Sequence, residues 1–160
     1  PKDRDKESLF QATSIRDNIV ASSLDKLKRG FFISPADEKK LASDKAKQME
    51  VKMNRIEQMV RDLSGGNKQK VVIAKWLAND SKVFIMDCPT RGIDVGVKEK
   101  IYKLMEAMKN EGISILMVSE EMAELIGMAD RIITMKDGKM TNEFKRSKDL
   151  TESVIISAIV

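Results

Sequence analysis

The chain contains no histidine, which excludes imidazole from every catalytic and metal-binding role. It has one cysteine, Cys88, in 160 residues. No internal disulfide is available, and such usage suits a reducing cytosol. No apolar run approaches the roughly 18 residues of a membrane-spanning helix. A one-sided charge is missing too: 29 basic residues against 25 acidic ones leave a net charge of +4. The two signs alternate as on solvated helix faces, which does not favour nucleic-acid binding. No repeat and no low-complexity segment occurs. Hydrophobic residues at 42% of the chain are enough for one modest core.

The most informative stretch is Leu63-Ser64-Gly65-Gly66-Asn67-Lys68-Gln69-Lys70. Two glycines let a backbone approach a ligand closely, and the helix-like run over residues 67–78 follows at once. A helix N-terminus presents free N–H groups and the positive end of the helix dipole, which suits phosphate. Ser64 adds a hydroxyl. A plain glycine turn also fits these residues. The next segment, Val83-Phe84-Ile85-Met86-Asp87, reads as a buried strand that delivers a carboxylate to a Mg-nucleotide site. The other reading of Asp87 is a strand-end residue capping the next turn.

The remaining pattern predicts a mostly helical first part and an α/β second part. Ser14 is predicted to cap a helix over residues 14–28, ended by Gly30. Ser34-Pro35 opens another, over residues 35–50. Apolar residues are sparse in both, so these helices are expected to pack on something larger. Strand-like runs at 83–86, 113–118 and 131–135 then alternate with helical ones, the pattern of a parallel α/β sheet. The helix after Asp94 places Val97, Ile101, Leu104, Met105 and Met108 on one face, and Gly112 stops it. Ser119 is predicted to cap a helix with Met122, Leu125 and Ile126 inward. Asp137-Gly138 reads as a hairpin turn, and residues 150–160 as a closing helix. Most of the eleven Met residues fall at core-facing positions, and Trp76 reads as a packing residue.

These residues together resemble the ATP-binding-cassette (ABC) ATPase family over nearly the whole chain. Leu63 to Gln69 is similar to its signature motif, with Asn67 where Gln is common. Val83–Asp87 resembles Walker B, and Ile93-Asp94 falls at the D-loop. Asp3-Arg4, LSGGNKQKV, PTRGIDVG and the run Gly127-Met128-Ala129-Asp130-Arg131-Ile132 are similar to the second nucleotide-binding domain of bacterial simple-sugar importers of the ribose and galactose type. The resemblance implies a partial P-loop NTPase domain with a helical subdomain. Residues 1–80 would be that subdomain with the signature motif. Residues 81–160 would be the C-terminal part of the α/β ATPase core, with the Walker B, D-loop and switch-loop positions.

By the same resemblance, Ser64, Gly65, Gly66 and Asn67 would contact ATP held by a partner domain. Asp87 would hold Mg²⁺, Asp94 would serve as the D-loop residue, and Lys2 would stand at the Q-loop position. Three departures are visible. Cys88 occupies the place of the usual catalytic Glu. A thiol with an unperturbed pKa of about 8.5 is a poor replacement for an ionised carboxylate, and as a nucleophile it lacks a His partner. Glu120 occupies the place of the usual switch His, where a carboxylate repels phosphate; it also fits an ordinary first-turn helix acid. Lys2 replaces the Gln or Glu of the Q-loop.

No G-x-x-x-x-G-K-[ST] phosphate loop occurs, and the chain opens at Pro1. The expectation is therefore a fragment lacking that loop, inactive by itself and not binding ATP and Mg²⁺ tightly. In the complete domain pair it would complete the partner's ATP site while its own Walker B site is degenerate. Implied partners are a second nucleotide-binding domain, the transmembrane permease subunits and, indirectly, a sugar-binding protein. Residues 9–32 would face the permease, at the cytoplasmic face of the bacterial membrane. Self-association through exposed sheet edges is a further expectation. Two other classes fit parts of the sequence: a non-transport ABC head of the DNA-repair or chromosome-organising kind, and a non-enzymatic interaction module.

Overall fold

Ser14 begins the first helix as its residue type predicts. Its hydroxyl accepts the Asp17 N–H at 3.0 Å, and the Asp17 carboxylate accepts the Ser14 N–H at 3.3 Å. The pair is a capping box. The computed structural model describes residues 8–30 and 32–159, so the expectation for Lys2 lies outside the described residues. Helix α1 spans Ile15–Val20 and α2 spans Leu24–Leu27. The predicted single helix to residue 28 is thus broken at the Ala21-Ser22-Ser23 step. Serine side chains compete for backbone partners and weaken a helix interior. Here the Ser22 hydroxyl leaves its own helix and donates to the Lys75 carbonyl at 2.5 Å. Gly30, with φ +64, turns a short antiparallel hairpin of β1 (Lys28–Arg29) and β2 (Phe32–Ile33). It does not end a helix.

Helix α3 spans Pro35–Gln48, with Ser34 capping the Asp37 N–H at 3.3 Å and Pro in the first turn. Its few apolar residues suffice because they are small. Ala42 and Ala46 are fully buried and let α3 pack closely on α1 and on α4, which spans Gly65–Leu77. Within the chain these sparse-faced helices pack on one another and on α4. Ile15, Ile19, Val60, Val71 and Ala74 fill the core between them. Complete burial of an Ile or Val contributes about 1.5–3 kcal/mol. The segment before α4 passes over the start of α1. The carbonyls of Gln58 and Ile56 accept the Ile15 and Arg16 N–H groups at 2.9 and 3.0 Å, satisfying donors that a helix leaves open at its first turn.

The α/β portion begins with β3 (Val83–Asp87), followed by α5 (Val95–Asn110) and β4 (Ser114–Val118). β3 and β4 are neighbours, and the Ser114 N–H meets the Lys82 carbonyl at 2.9 Å. The predicted apolar face of α5 is borne out by buried Ile101, Met105 and Met108, and Gly112 stops the helix at φ +83. β3 is not buried on both faces, as its apolar run implied. Phe84 and Met86 are inside, while Val83 is 63% and Ile85 74% exposed.

A first compact unit ends at Leu116 and a second begins at Met117. In the second, α6 (Met122–Met128) precedes the antiparallel pair β5 (Arg131–Lys136) and β6 (Lys139–Lys145). Asp137 and Gly138 both have positive φ, +51 and +75, as a two-residue hairpin turn of this handedness requires. Ile132, Leu150 and Ile155 form the core, with Met122, Leu125 and Ile126 packed against it. The last helix, α7, covers only Glu152–Ser157. Among the described residues the strands form three separate pairs and not one continuous parallel sheet. Met49, Met86, Met105 and Met108 are buried, but Met59, Met135 and Met140 are exposed, and Trp76 is 46% exposed. Trp76 is thus not a core residue.

Candidate functional site

The turn into α4 differs from the sequence reading in one informative way. Ser64 is the N-cap, so Gly65 and Gly66 are the first residues of the helix and not a loop before it. The first intrahelical bond runs from the Lys68 N–H to the Ser64 carbonyl at 2.9 Å. The amides ahead of Lys68 have no partner within the helix. The Ser64 side chain caps none of them, and the first turn carries no acidic residue. Ser64 and Gly65 are exposed and Gly66 and Asn67 half-buried. An open N-terminus of a 13-residue helix with no acid in its first turn is suited to an anion.

Asn67 uses both ends of its amide inside the chain. Its Nδ2 donates to the Ser64 Oγ at 3.1 Å, and its Oδ1 accepts the Lys52 backbone N–H at 2.9 Å. It therefore ties the signature turn to the loop that follows α3. Lys70, one turn further along, secures the same loop from beneath: its Nζ donates to the Glu50 carbonyl at 2.9 Å. Burial pushes the Lys70 amine below the ordinary lysine range, against the attraction of Glu50. Lys52, Asn54, Gln58, Asp62 and Asn67 line a shallow groove beside Ser64, so one carboxylate shares it with one lysine.

Gly66 faces the other way. A β-carbon built on it would stand 2.5 Å from Val97 Cγ1 and 3.4 Å from Val97 Cβ and Cγ2. The signature turn thus rests against the first turn of α5, whose N-cap is Asp94. Asp94 is exposed, and its carbonyl accepts the Val97 and Lys98 N–H groups at 2.9 and 3.0 Å.

Asp87 lies exposed at the end of β3. Cys88 follows half-buried with φ +45, a left-handed conformation that a non-glycine residue adopts only under constraint. A compact turn follows, closed by Arg91 N–H to the Cys88 carbonyl at 3.1 Å and Ile93 N–H to the Thr90 carbonyl at 3.2 Å. Among the described residues no three Asp, Glu or Cys side chains converge as a metal site. Asp87 fits as one Mg²⁺ ligand, with the rest supplied by nucleotide and water.

In the second unit Glu120 is exposed and precedes α6, whose N-cap is Glu121. It is therefore not a first-turn helix acid; that place belongs to Glu124. Ser119 does not cap the helix as predicted. Its hydroxyl accepts the Glu121 N–H at 3.0 Å and donates to the buried Glu124 carboxylate.

Sequence reasoning singled out residues 64–67 and Asp87 as candidates but missed Val97, Lys52 and Lys70 as neighbours of the first group. For Lys70 the signal was its helical spacing three residues after Asn67, which puts both side chains on one face. Nothing in the sequence pointed to Val97 opposite Gly66.

The ABC transporter family model matches residues 3–91. The chain belongs to this family. Among its relatives, the chain is 42% identical over 158 residues to the ribose import ATP-binding protein RbsA 2 of Streptomyces avermitilis, covering 99% of this chain and 31% of that protein. It is 40% identical over 154 residues to a putative ribose/galactose/methyl galactoside import ATP-binding protein of Rhizobium etli, covering 96% and 29%. To the xylose import ATP-binding protein XylG of Geobacillus kaustophilus it is 41% identical over 157 residues, covering 98% and 31%. The chain thus spans under a third of the length of these relatives.

Among solved ABC cassettes, the dimeric post-hydrolysis state of the ATP-binding cassette MJ0796 bound to ADP and Pi superposes with a TM-score of 0.71 at 28% identity, covering 87% of this chain and 59% of that one. The cbiO1 subunit of the Clostridium perfringens cbiONQ transporter complex superposes with a TM-score of 0.75 at 22% identity, covering 98% and 59%; that likeness speaks for the fold alone. The fold is α/β, a partial P-loop NTPase domain of the ABC ATPase type with a helical subdomain.

Proposed function

We propose that this chain is part of the ATP-binding subunit of a bacterial sugar importer, and that it belongs to the second of two nucleotide-binding domains. The observation that carries the reading is the open N-terminus of α4, with Ser64 exposed and no acid in the first turn. The similarity to ribose, galactose and xylose import ATP-binding proteins supports the sugar class. Bound between two such domains, ATP with Mg²⁺ supplies the phosphoanhydride whose hydrolysis drives the transport cycle. Ser64 and the open amides of the first turn bind and orient the terminal phosphate of a nucleotide held on the partner domain's phosphate loop. Asn67 acts through Ser64 and Lys52, keeping the turn in place.

The chain's own Walker B side does less. Asp87 would hold Mg²⁺. Cys88 stands where a carboxylate would polarise the attacking water, and loss of a general base costs about 10²–10⁴ in rate. Glu120 repels a phosphate that a switch His would hold. Asp94, at the head of α5, belongs to the D-loop contact with the partner domain. Residues 1–80 act as the helical subdomain, whose residues 9–32 face the permease at the cytoplasmic side of the membrane. Residues 81–160 belong to the ATPase core. The sugar-binding protein is reached only through the permease. Among the described residues no helix is long and apolar enough to cross a membrane, which agrees with a peripheral subunit.

The test uses the full-length subunit assembled with its permease. Ser64→Ala is expected to lower ATP turnover and sugar uptake strongly, whereas Cys88→Glu changes them little. Equal and small effects from the two substitutions would sink this assignment.

A further inference from the structure

Glycine at position 66 has two different explanations. One is that a ligand's phosphate approaches its backbone, as at other glycine-rich turns. The other is that the chain's own packing leaves no room for a β-carbon. The backbone gives no third reason: Gly66 lies outside the positive-φ region, unlike Gly30, Gly92, Gly112 and Gly138. It sits in the first turn of α4, where alanine is the better helix former by up to about 1 kcal/mol. Local propensity therefore favours Ala, and something else must oppose it.

The geometry points to Val97 as that opposing group, and we propose that Val97 is a positioning residue for the signature turn. Its Cγ1 lies 2.5 Å from where a Gly66 β-carbon would stand, and its Cβ and Cγ2 lie 3.4 Å away. Relief by rotation is restricted, because a β-branched side chain in a helix has one strongly preferred χ1 rotamer. A β-carbon on Gly66 therefore displaces either the start of α4 or the start of α5. Those two helix starts carry Ser64 and Asp94 as N-caps. Seated Val97 against Gly66, the two exposed caps move as one piece. A shift at the Asp94 turn is then delivered to Ser64 without passing through the rest of the core.

The catalytic part of this proposal rests on the functional reading above; the packing part does not. The experiment compares Gly66→Ala, Val97→Ala and the double variant. Urea unfolding of the 160-residue chain reads the packing. Gly66→Ala is expected to lower the midpoint despite its helix propensity, and adding Val97→Ala is expected to restore it, a non-additivity typical of side chains in contact. Steady-state turnover of the assembled full-length subunit reads the positioning. Gly66→Ala is expected to lower kcat by about 10- to 100-fold, the effect of a small misplacement of binding groups, with a smaller change in KM. The double variant is expected to regain most of that loss.

A double variant no more stable than Gly66→Ala overturns the packing claim. Regained stability without regained turnover overturns the positioning claim, and means that the glycine serves a ligand directly. If Ser64→Ala leaves turnover unaltered, the functional reading falls, while the unfolding comparison still decides the packing.

Discussion

Asn18 is a buried side chain whose amide is bonded at both ends. Its Oδ1 accepts the Phe10 N–H at 2.8 Å. Its Nδ2 faces the Phe10 carbonyl at 3.1 Å, Thr13 Oγ1 at 2.9 Å and the Ser14 carbonyl at 3.0 Å. It fixes the turn that leads into the Ser14 cap. Ser23 is its opposite, a buried hydroxyl with no partner among the described residues. The two predict opposite outcomes for the same kind of change. Asn18→Ala removes a fully buried amide together with its bonds to Phe10, Thr13 and Ser14, and is expected to destabilise the chain by about 1–3 kcal/mol. Ser23→Ala removes an unsatisfied group and is expected to be neutral or slightly stabilising. Urea midpoints for the two variants check the pair. Neither role was readable in advance, because an Asn among polar neighbours looks like any solvated residue until the chain folds over it.

At the scale of the element, α4 carries one buried lysine, Lys70, and one half-buried, Lys75. Lys75 Nζ lies 5.3 Å from the Phe10 ring centroid and 5.5 Å from that of Trp76, and donates to the Ser8 carbonyl at 3.2 Å. Burial pushes Lys75 below the ordinary lysine value, and does the same to Lys70. An amine with a lowered folded pKa binds fewer protons folded than unfolded in the interval up to 10.5. Stability therefore rises with pH through that interval, and the penalty is present in full below it. Lys75→Met is expected to flatten the rise. Urea titrations across the alkaline range, followed by the single Trp76, measure it; an unchanged slope would refute the assignment to Lys75. The caps of α1 and α3 were legible, and the start of α4 was read two residues late, because two glycines look like a loop and here open the helix. The break after α1 was not, since it depends on Ser22 reaching a carbonyl 53 positions away.

For the molecule as a whole, the uncovered face of β3 matters most. Val83 and Ile85 are exposed, and Leu116 on β4 is 54% exposed. Neighbouring apolar side chains on an open sheet face favour association. The chain alone is expected to self-associate as concentration rises. Replacing Val83 and Ile85 by Thr is expected to reduce that association with little loss of monomer stability, because little buried area is removed. Sedimentation velocity across a concentration series gives the comparison; unchanged association would place the contact elsewhere. A strand buried on both faces was the natural reading of Val83–Asp87, since four apolar residues in a row carry no period. Which face is covered depends on what other chain lies beside it.

The sequence by itself determined the local features. These were the caps at Ser14 and Ser34, the Asp137-Gly138 hairpin, the stop at Gly112 and the apolar face of α5. Each is set by interactions within a few residues, so the residue types at fixed spacing suffice. Tertiary structure alone decided that Asn67 braces Lys52 to Ser64, that Lys70 holds the Glu50 carbonyl and that Val97 fills the space beside Gly66. Apart from the local Asn67 to Ser64 bond, each of these contacts joins positions at least 15 apart. No local pattern encodes such a pairing, because it forms only when two helices arrive at one place.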